Sequence, residues 1–390
     1  SKQIYLDNAA TTQMSDAVKQ AMEPYLQENY GNASTAYSIG EDARRELEKS
    51  REVIAATLHA KTSEIYFTSG GSESDNWAVK NIAAACKKKG RHIITTNIEH
   101  HAILNSCEYL EKLGYDVTSW LERKGFEVTY LDVDEDGLIS LDELEKAIRP
   151  DTILISVMFA NNEVGTIEPI YQIGKIAREK QILFHTDAVQ AYAQIPLSVN
   201  YYPVDLLSAS AHKFHGPKGV GFLYIRDGID IPSFIHGGSQ ERGKRAGTEN
   251  VAGIVGMAKA AEIAYGNMRK RVQKEIMLRN YLIERVMHEI PDAKLNGHRS
   301  IRLPGNVNFS FKGLEGASLL ILLDEDGICA SGGSACNTGE ERISYVIKAL
   351  GVPEEYAPGT IRITLCGDTT RADVDAALVS LKRNIAVLRG

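Results

Sequence analysis

Thr152–Thr186 reads TILISVMFANNEVGTIEPIYQIGKIAREKQILFHT. It opens on the apolar run Thr152–Phe159, passes through helical spacing over Glu168–Lys180, and closes on a second apolar run, Ile182–Thr186. Strand, helix, strand in that rhythm means parallel pairing with a helical crossover. The rhythm continues outward. EIYFT (Glu64–Thr68) runs into a glycine turn and then helical spacing over Glu73–Cys86, and His92–Thr96, Asp205–Ser208 and Gly219–Ile225 add short apolar runs. The expectation is an α/β fold with a mostly parallel central sheet, helices on both faces, and ligands at the carboxyl ends of the strands. After about Thr248 the pattern changes. Helices are expected over Asn250–Tyr265 and Met268–Ile290, strands at Asn306–Phe311, Ala317–Leu323 and Ile361–Leu365, and a last helix over Arg371–Leu388. This reads as a smaller α+β domain. The large domain is set at 15–258, with 1–14 and 259–390 forming the small one.

A chain of 390 residues, 43% hydrophobic and 24% charged, buries its own core without a disulfide or metal staple. A net charge of −7 speaks against a direct nucleic-acid binder, because neutralising phosphates takes a basic surface. Five cysteines without a CxxC pair exclude a disulfide scaffold and a zinc ribbon, and no metal is expected. One thiol is left open to be reactive. No apolar run approaches the roughly 20 residues of a membrane span, and no signal peptide is visible, so a reducing cytoplasm is the expected compartment.

Two features read as local structure. YLEKLGYDVT (Tyr109–Thr118) is echoed by WLERKGFEVT (Trp120–Thr129), a single tandem repeat expected at the surface. DVDEDGLISLDE (Asp132–Glu143) matches a calcium-loop pattern, but Phe126–Leu131 alternates as a strand where a helix is required. An acidic strand-to-helix turn capped by Ser140 is expected instead.

The chemistry concentrates at strand ends. Lys213 lies in SASAHKFHGPKG, just past a strand, where a buried lysine can form a Schiff base. TSGGSESDN (Thr68–Asn76) turns on Gly70 and Gly71 into a helix whose first amides, with Ser72, can cradle a phosphate. Asp187 ends the run ILFHT and can face a protonated ring nitrogen. Cys336 sits in the glycine-rich ASGGSACNTG, whereas Cys86 and Cys107 read as core, Cys329 as packed and Cys366 as structural. Arg362, alone in the apolar run TIRITL, needs a partner: a ligand carboxylate or an internal ion pair.

Together these pieces resemble the group I cysteine desulfurases, which use pyridoxal 5'-phosphate (PLP) on the type I transferase fold. The resemblance runs in order through YLDNAATT (Tyr5–Thr12), TSGGSESDN, EHHAIL (Glu99–Leu104), NNEVGT (Asn161–Thr166), HTDAVQ (His185–Gln190), SAHKFHGPKG (Ser210–Gly219), RAGTEN (Arg245–Asn250) and SGGSAC (Ser331–Cys336). It implies that Lys213 holds PLP, Asp187 pairs with the pyridine nitrogen, Gln190 touches the ring hydroxyl, and His100 stacks on the ring and moves a proton. Gly71, Ser72, Ser210 and His212 would hold the phosphate, and Thr248 would reach the phosphate of the neighbouring subunit in a homodimer. Asn162 would belong to the cofactor set and, with Arg362, grip the substrate carboxylate. Cys336 would take sulfur from L-cysteine, leaving alanine, and pass it to an iron–sulfur scaffold or a tRNA-thiolation protein. An aminotransferase on the same fold would have no use for Cys336. NASTAY (Asn32–Tyr37), Ser239, and ITLCGDTT after Arg362 depart from the family pattern. The basic stretch Arg269–Lys274 reads as a solvated helix face more readily than as a docking surface.

Overall fold

The computed structural model describes residues 2–113, 125–332 and 343–390. Seven strands form the central sheet, in spatial order Ile65–Thr68, Gly221–Ile225, Leu206–Ser210, Leu183–Asp187, Thr152–Ser156, His92–Thr96 and Glu127–Leu131. Gly221–Ile225 runs antiparallel to both neighbours; the remaining strands run parallel to one another. Thr152–Ser156 pairs with Leu183–Asp187 in the register Leu154–Leu183, Ile155–Phe184, Ser156–His185. Between them, the helix Ile170–Glu179 buries Ile170, Ile173, Gly174 and Ala177. That spacing is one helical face.

The sheet is covered on both sides, so its strands read as unbroken apolar runs. Ile155, Leu207 and Phe222 join one apolar cluster with Ile54, Tyr192 and Met257. Their chain neighbours Leu154, Leu206 and Leu223 join another with Trp77, Ile82 and Ile103. The two-residue period of a strand makes that division.

A third cluster gathers Leu6 with Leu282, Val286, Phe309, Leu319, Ile361 and Leu381. It lies around an antiparallel sheet of Ala293–Leu295, Asn306–Phe311 and Thr360–Thr364. The helices Met268–Glu289, Gly316–Glu325 and Arg371–Arg389 pack with it. Ala317–Leu323, expected as a strand, is part of the helix Gly316–Glu325. Its buried residues, Gly316, Leu319 and Leu323, recur at helical spacing, while Ile321 faces outward at 63% exposure. A short apolar run carries no period of its own until something packs on it. The helices Asp16–Met22 and Ser38–Leu58 add to the sequence reading, as does the parallel pair Ile4–Tyr5 with Ile328–Cys329.

The acidic stretch after Leu131 is a strand-to-helix turn. The Asp134 carboxylate accepts the N–H groups of Asp136 and Leu138 at 2.9 and 3.0 Å. Ser140 caps the helix Leu141–Ala147. The basic stretch is partly tied down: Arg271 donates to the carbonyls of Ala193 and Ala264, and Lys274 to that of Gly367. Much of the tandem repeat lies outside the described residues. Among the described residues, no helix is long and apolar enough to cross a membrane.

Candidate active site

The carboxyl ends of the strands Ile65–Thr68, His92–Thr96, Thr152–Ser156, Leu183–Asp187 and Leu206–Ser210 meet at a cavity of about 280 Å³. Gly71, Ser72, His100, Asn162, Asp187, Gln190, Ser210, His212, Lys213 and Arg362 all line it. Residues proposed from scattered motifs therefore share one wall.

At one end, the helix Gly71–Cys86 begins. A Cβ on Gly71 would stand 2.7 Å from Val189 Cγ2, so only glycine lets this helix start so close to the turn after Asp187. The first N–H groups of such a helix favour an anion. His212 stands nearby with Nδ1 3.0 Å from Thr11 Oγ1. Burial, then Lys213 and Lys218, push its pKa down to about 4, so the ring is neutral near pH 7.

Asp187 lines the same cavity, buried, its Oδ1 accepting the Val189 N–H at 3.0 Å. The Lys213 amine donates to the carbonyls of Ala9 and Ala10 at 2.5 and 3.0 Å. Gln190 Nε2 donates to the same Ala9 carbonyl at 3.1 Å.

His100 caps the helix His101–Lys112, its Nδ1 accepting the Ala102 N–H at 3.0 Å. Accepting at Nδ1 leaves the ring proton on Nε2. The ring is open to the cavity yet surrounded by protein, and this burial lowers its pKa. The Lys213 and His101 charges lower it further, against an opposing pull from Asp187.

Of the two partners expected for Arg362, the internal ion pair is present. Arg362 pairs with Asp7 Oδ1 at 2.9 Å and donates to the Asn162 carbonyl at 2.9 Å, while its buried Nε has no hydrogen bond. The Asn162 Oδ1 is likewise buried and unbonded.

Four groups here escaped the sequence reading. Asp7 and Asp75 lie inside quoted motifs but carried no expected role. Glu163 lines the cavity, and its burial raises its pKa to about 7. Tyr345 also lines it and donates to the Glu99 carbonyl at 2.5 Å. Conversely, Thr248 is exposed and not part of this wall, and Cys336 lies outside the described residues.

Cys107 is buried, its thiol pushed up to about 12. Cys86, Cys329 and Cys366 are only partly buried, short of the core position expected for Cys86, and burial raises each thiol. Raised thiols are poor nucleophiles.

A larger cavity, about 370 Å³, lies beyond Ala9 and Lys213, among Arg271, Glu275 and Cys366. In it Arg271 pairs with Glu275 at 3.2 Å, and it holds no part of the helix start. The smaller cavity is the one that gathers the residues singled out from the sequence.

A helix start suited to a phosphate, a buried carboxylate and an amine in one cavity match the polar groups of a phosphorylated pyridine aldehyde. The chain belongs to the aminotransferase class-V family, whose model matches residues 4–377. It is 52% identical to the cysteine desulfurase IscS of Dictyoglomus turgidum, over all of this chain and 96% of that protein. It is 51% identical to the cysteine desulfurase IscS of Methanosarcina thermophila, over all of this chain and 93% of that one. Among solved structures, a NifS-like protein superposes with a TM-score of 0.91 at 41% identity, over 99% of this chain and 100% of that one.

Proposed function

We propose that this chain is a PLP-dependent group I cysteine desulfurase: it converts L-cysteine to L-alanine and carries the sulfur away as a persulfide on Cys336. The observation that supports this best is the Lys213 amine sharing one cavity with Asp187, His100 and Arg362, under the start of the helix Gly71–Cys86. The identity to cysteine desulfurases along the whole chain supports the choice of substrate.

The residues divide the work. Gly71, Ser72, Ser210 and His212 hold the phosphate, joined by Thr248 of a second copy in a homodimer. Asp187 keeps the ring nitrogen protonated, and Gln190 orients the ring hydroxyl. PLP, bound at Lys213, supplies the electron sink that makes the substrate Cα–H acidic. Arg362 and Asn162 orient the substrate carboxylate. Lys213 takes the Cα proton. His100, neutral and with its proton on Nε2, moves a proton at the substrate thiol. The Cys336 thiolate attacks the substrate sulfur; the C–S bond breaks, its electron pair stays on Cβ, and Cβ then takes a proton to give alanine.

The large unit, 15–258, holds the cofactor, and the smaller one, 1–14 with 259–390, carries Cys336. The protein works in the cytoplasm and hands its sulfur to a partner protein in iron–sulfur or thiolated-tRNA synthesis, without binding nucleic acid or membrane itself.

Purified protein with PLP should form alanine from L-cysteine. Cys336→Ala should keep the yellow cofactor band and lose roughly 1000-fold or more of persulfide formation. Lys213→Ala should lose the lysine-bound band. Full turnover by Cys336→Ala would overturn the mechanism.

A further inference from the structure

The turn that opens the helix Gly71–Cys86 carries a charge of the wrong sign for a phosphate. Glu73 lies in the first turn of that helix, beside Gly71 and Ser72, which line the cavity. Its Oε1 accepts the Ser69 N–H at 3.0 Å, and the Gly70 N–H goes to Thr68 Oγ1 at 3.3 Å. The helical bonding begins with the Ser74 N–H, which donates to the Gly70 carbonyl at 3.1 Å. Helix geometry thus leaves the N–H groups of Gly71, Ser72 and Glu73 for an anion. A carboxylate beside them draws on the same partial positive charge and repels a second anion.

Arg245 meets that carboxylate. Its Nη2 donates to Glu73 Oε1 at 2.7 Å and its Nε to Glu73 Oε2 at 3.0 Å, a two-pronged grip. The pair is mostly buried, with side chains 21% and 9% exposed. The segment that delivers Arg245 is itself fixed to the strand Ile65–Thr68, which leads into the same turn. Glu241, four residues earlier, accepts from Arg51 at 2.9 and 2.7 Å and from the Phe67 N–H at 2.5 Å. The Ala246 N–H bonds the Ile235 carbonyl at 3.2 Å.

We infer that Arg245 is a positioning residue for the phosphate cradle: it cancels the Glu73 charge and, through Glu73, holds the Ser69 turn, so that the free amides keep their attraction for the cofactor's phosphate. This rests on the proposed PLP-dependent function. Neither Arg245 nor Glu73 lines the cavity, and Arg245 acts wholly through Glu73. An ion pair that served the fold alone would affect every ligand of the cavity alike. This one should matter only to a ligand that carries the phosphate.

The test uses the full chain, stripped of cofactor and titrated with PLP and with pyridoxal, the same aldehyde without its phosphate. The absorbance of the lysine-bound aldehyde reads both. Arg245→Met keeps the length of the side chain and leaves the Glu73 charge without a partner. It should weaken PLP binding roughly 10- to 100-fold while leaving pyridoxal binding within about twofold. Adding Glu73→Gln removes the second charge and keeps an oxygen for the Ser69 N–H. The double variant should bind PLP within about threefold of the parent chain. Equal losses for PLP and pyridoxal would make the pair structural only and overturn the inference. So would no loss of PLP binding in the single variant, or a double variant as weak as the single. If Arg245→Met does not fold, Arg245→Gln takes its place. Failure of the unsubstituted chain to bind PLP would instead sink the functional reading itself.

Discussion

Glu168 is 3% exposed, with Oε1 accepting the Ile139 N–H at 3.0 Å and Oε2 buried without a partner. Burial raises its pKa from 4.5 to about 8, helped by the nearby Asp134 charge and opposed by the Ile139 N–H. Below pH 4.5 folded and unfolded chains both hold this proton, and it costs nothing. Between pH 4.5 and 8 the unfolded chain releases it while the folded chain retains it, so stability falls as pH rises. The loss is complete above about pH 8 and amounts to about 5 kcal/mol. Glu168→Gln keeps an oxygen for Ile139 and removes the titration. Its urea midpoint, relative to the parent chain, should rise steadily from pH 5 to pH 8. A difference that stays flat with pH would show Glu168 to be ionised in the fold. At this scale the sequence revealed those residues whose motif is itself chemical, such as Lys213 past its strand or Asp187 at a strand end. Asp7 was silent, because its significance comes from Arg362, far along the chain. No local spacing encodes such a pair.

Helices and strands tell a similar story about period. The central strands were legible because burial on both faces makes them continuously apolar, as in Thr152–Ser156 and Leu206–Ser210. The helix Ser38–Leu58 was not, because its buried face mixes Gly40, Ala43, Ser50 and Arg51 with Leu47 and Ile54. Arg51 is there to pair with Glu241 at 2.7 Å, an arrangement no hydrophobic pattern announces. The start of the helix Gly71–Cys86 gives this scale its prediction. Gly71→Ala would force a Cβ to 2.7 Å from Val189 Cγ2 and push the helix N-terminus off the phosphate position. PLP should bind roughly tenfold more weakly. Adding Val189→Ala removes the clashing methyl and should return most of the affinity. An unchanged dissociation constant in Gly71→Ala would mean that the turn after Asp187 yields freely.

At the scale of the whole molecule, one N-terminal segment stitches the smaller sheet to the cofactor wall. Ile4–Tyr5 pairs with Ile328–Cys329, and Asn8 Nδ2 donates to the Thr364 carbonyl at 2.9 Å. Just beyond, the Ala9 and Ala10 carbonyls receive the Lys213 amine, and the Thr12 N–H bonds the His212 carbonyl at 2.9 Å. Asp7 is the charged member of this segment, and it holds a nearly buried Arg362. The guanidinium is thus held from two sides, by Asp7 and by the Asn162 carbonyl. Asp7→Ala would leave the guanidinium with one of those two anchors and a buried charge without its partner. The fold should lose about 3 kcal/mol. If pre-aiming matters, the KM for L-cysteine should rise roughly tenfold, because a small displacement of a substrate clamp is costly. The PLP dissociation constant should stay within about twofold, since Lys213 leans on backbone carbonyls rather than on Asp7. Steady-state kinetics at saturating PLP read the first effect and cofactor titration the second. A KM that falls instead would mean that Asp7 competes with the substrate carboxylate for Arg362, and that the segment restrains the clamp rather than aiming it.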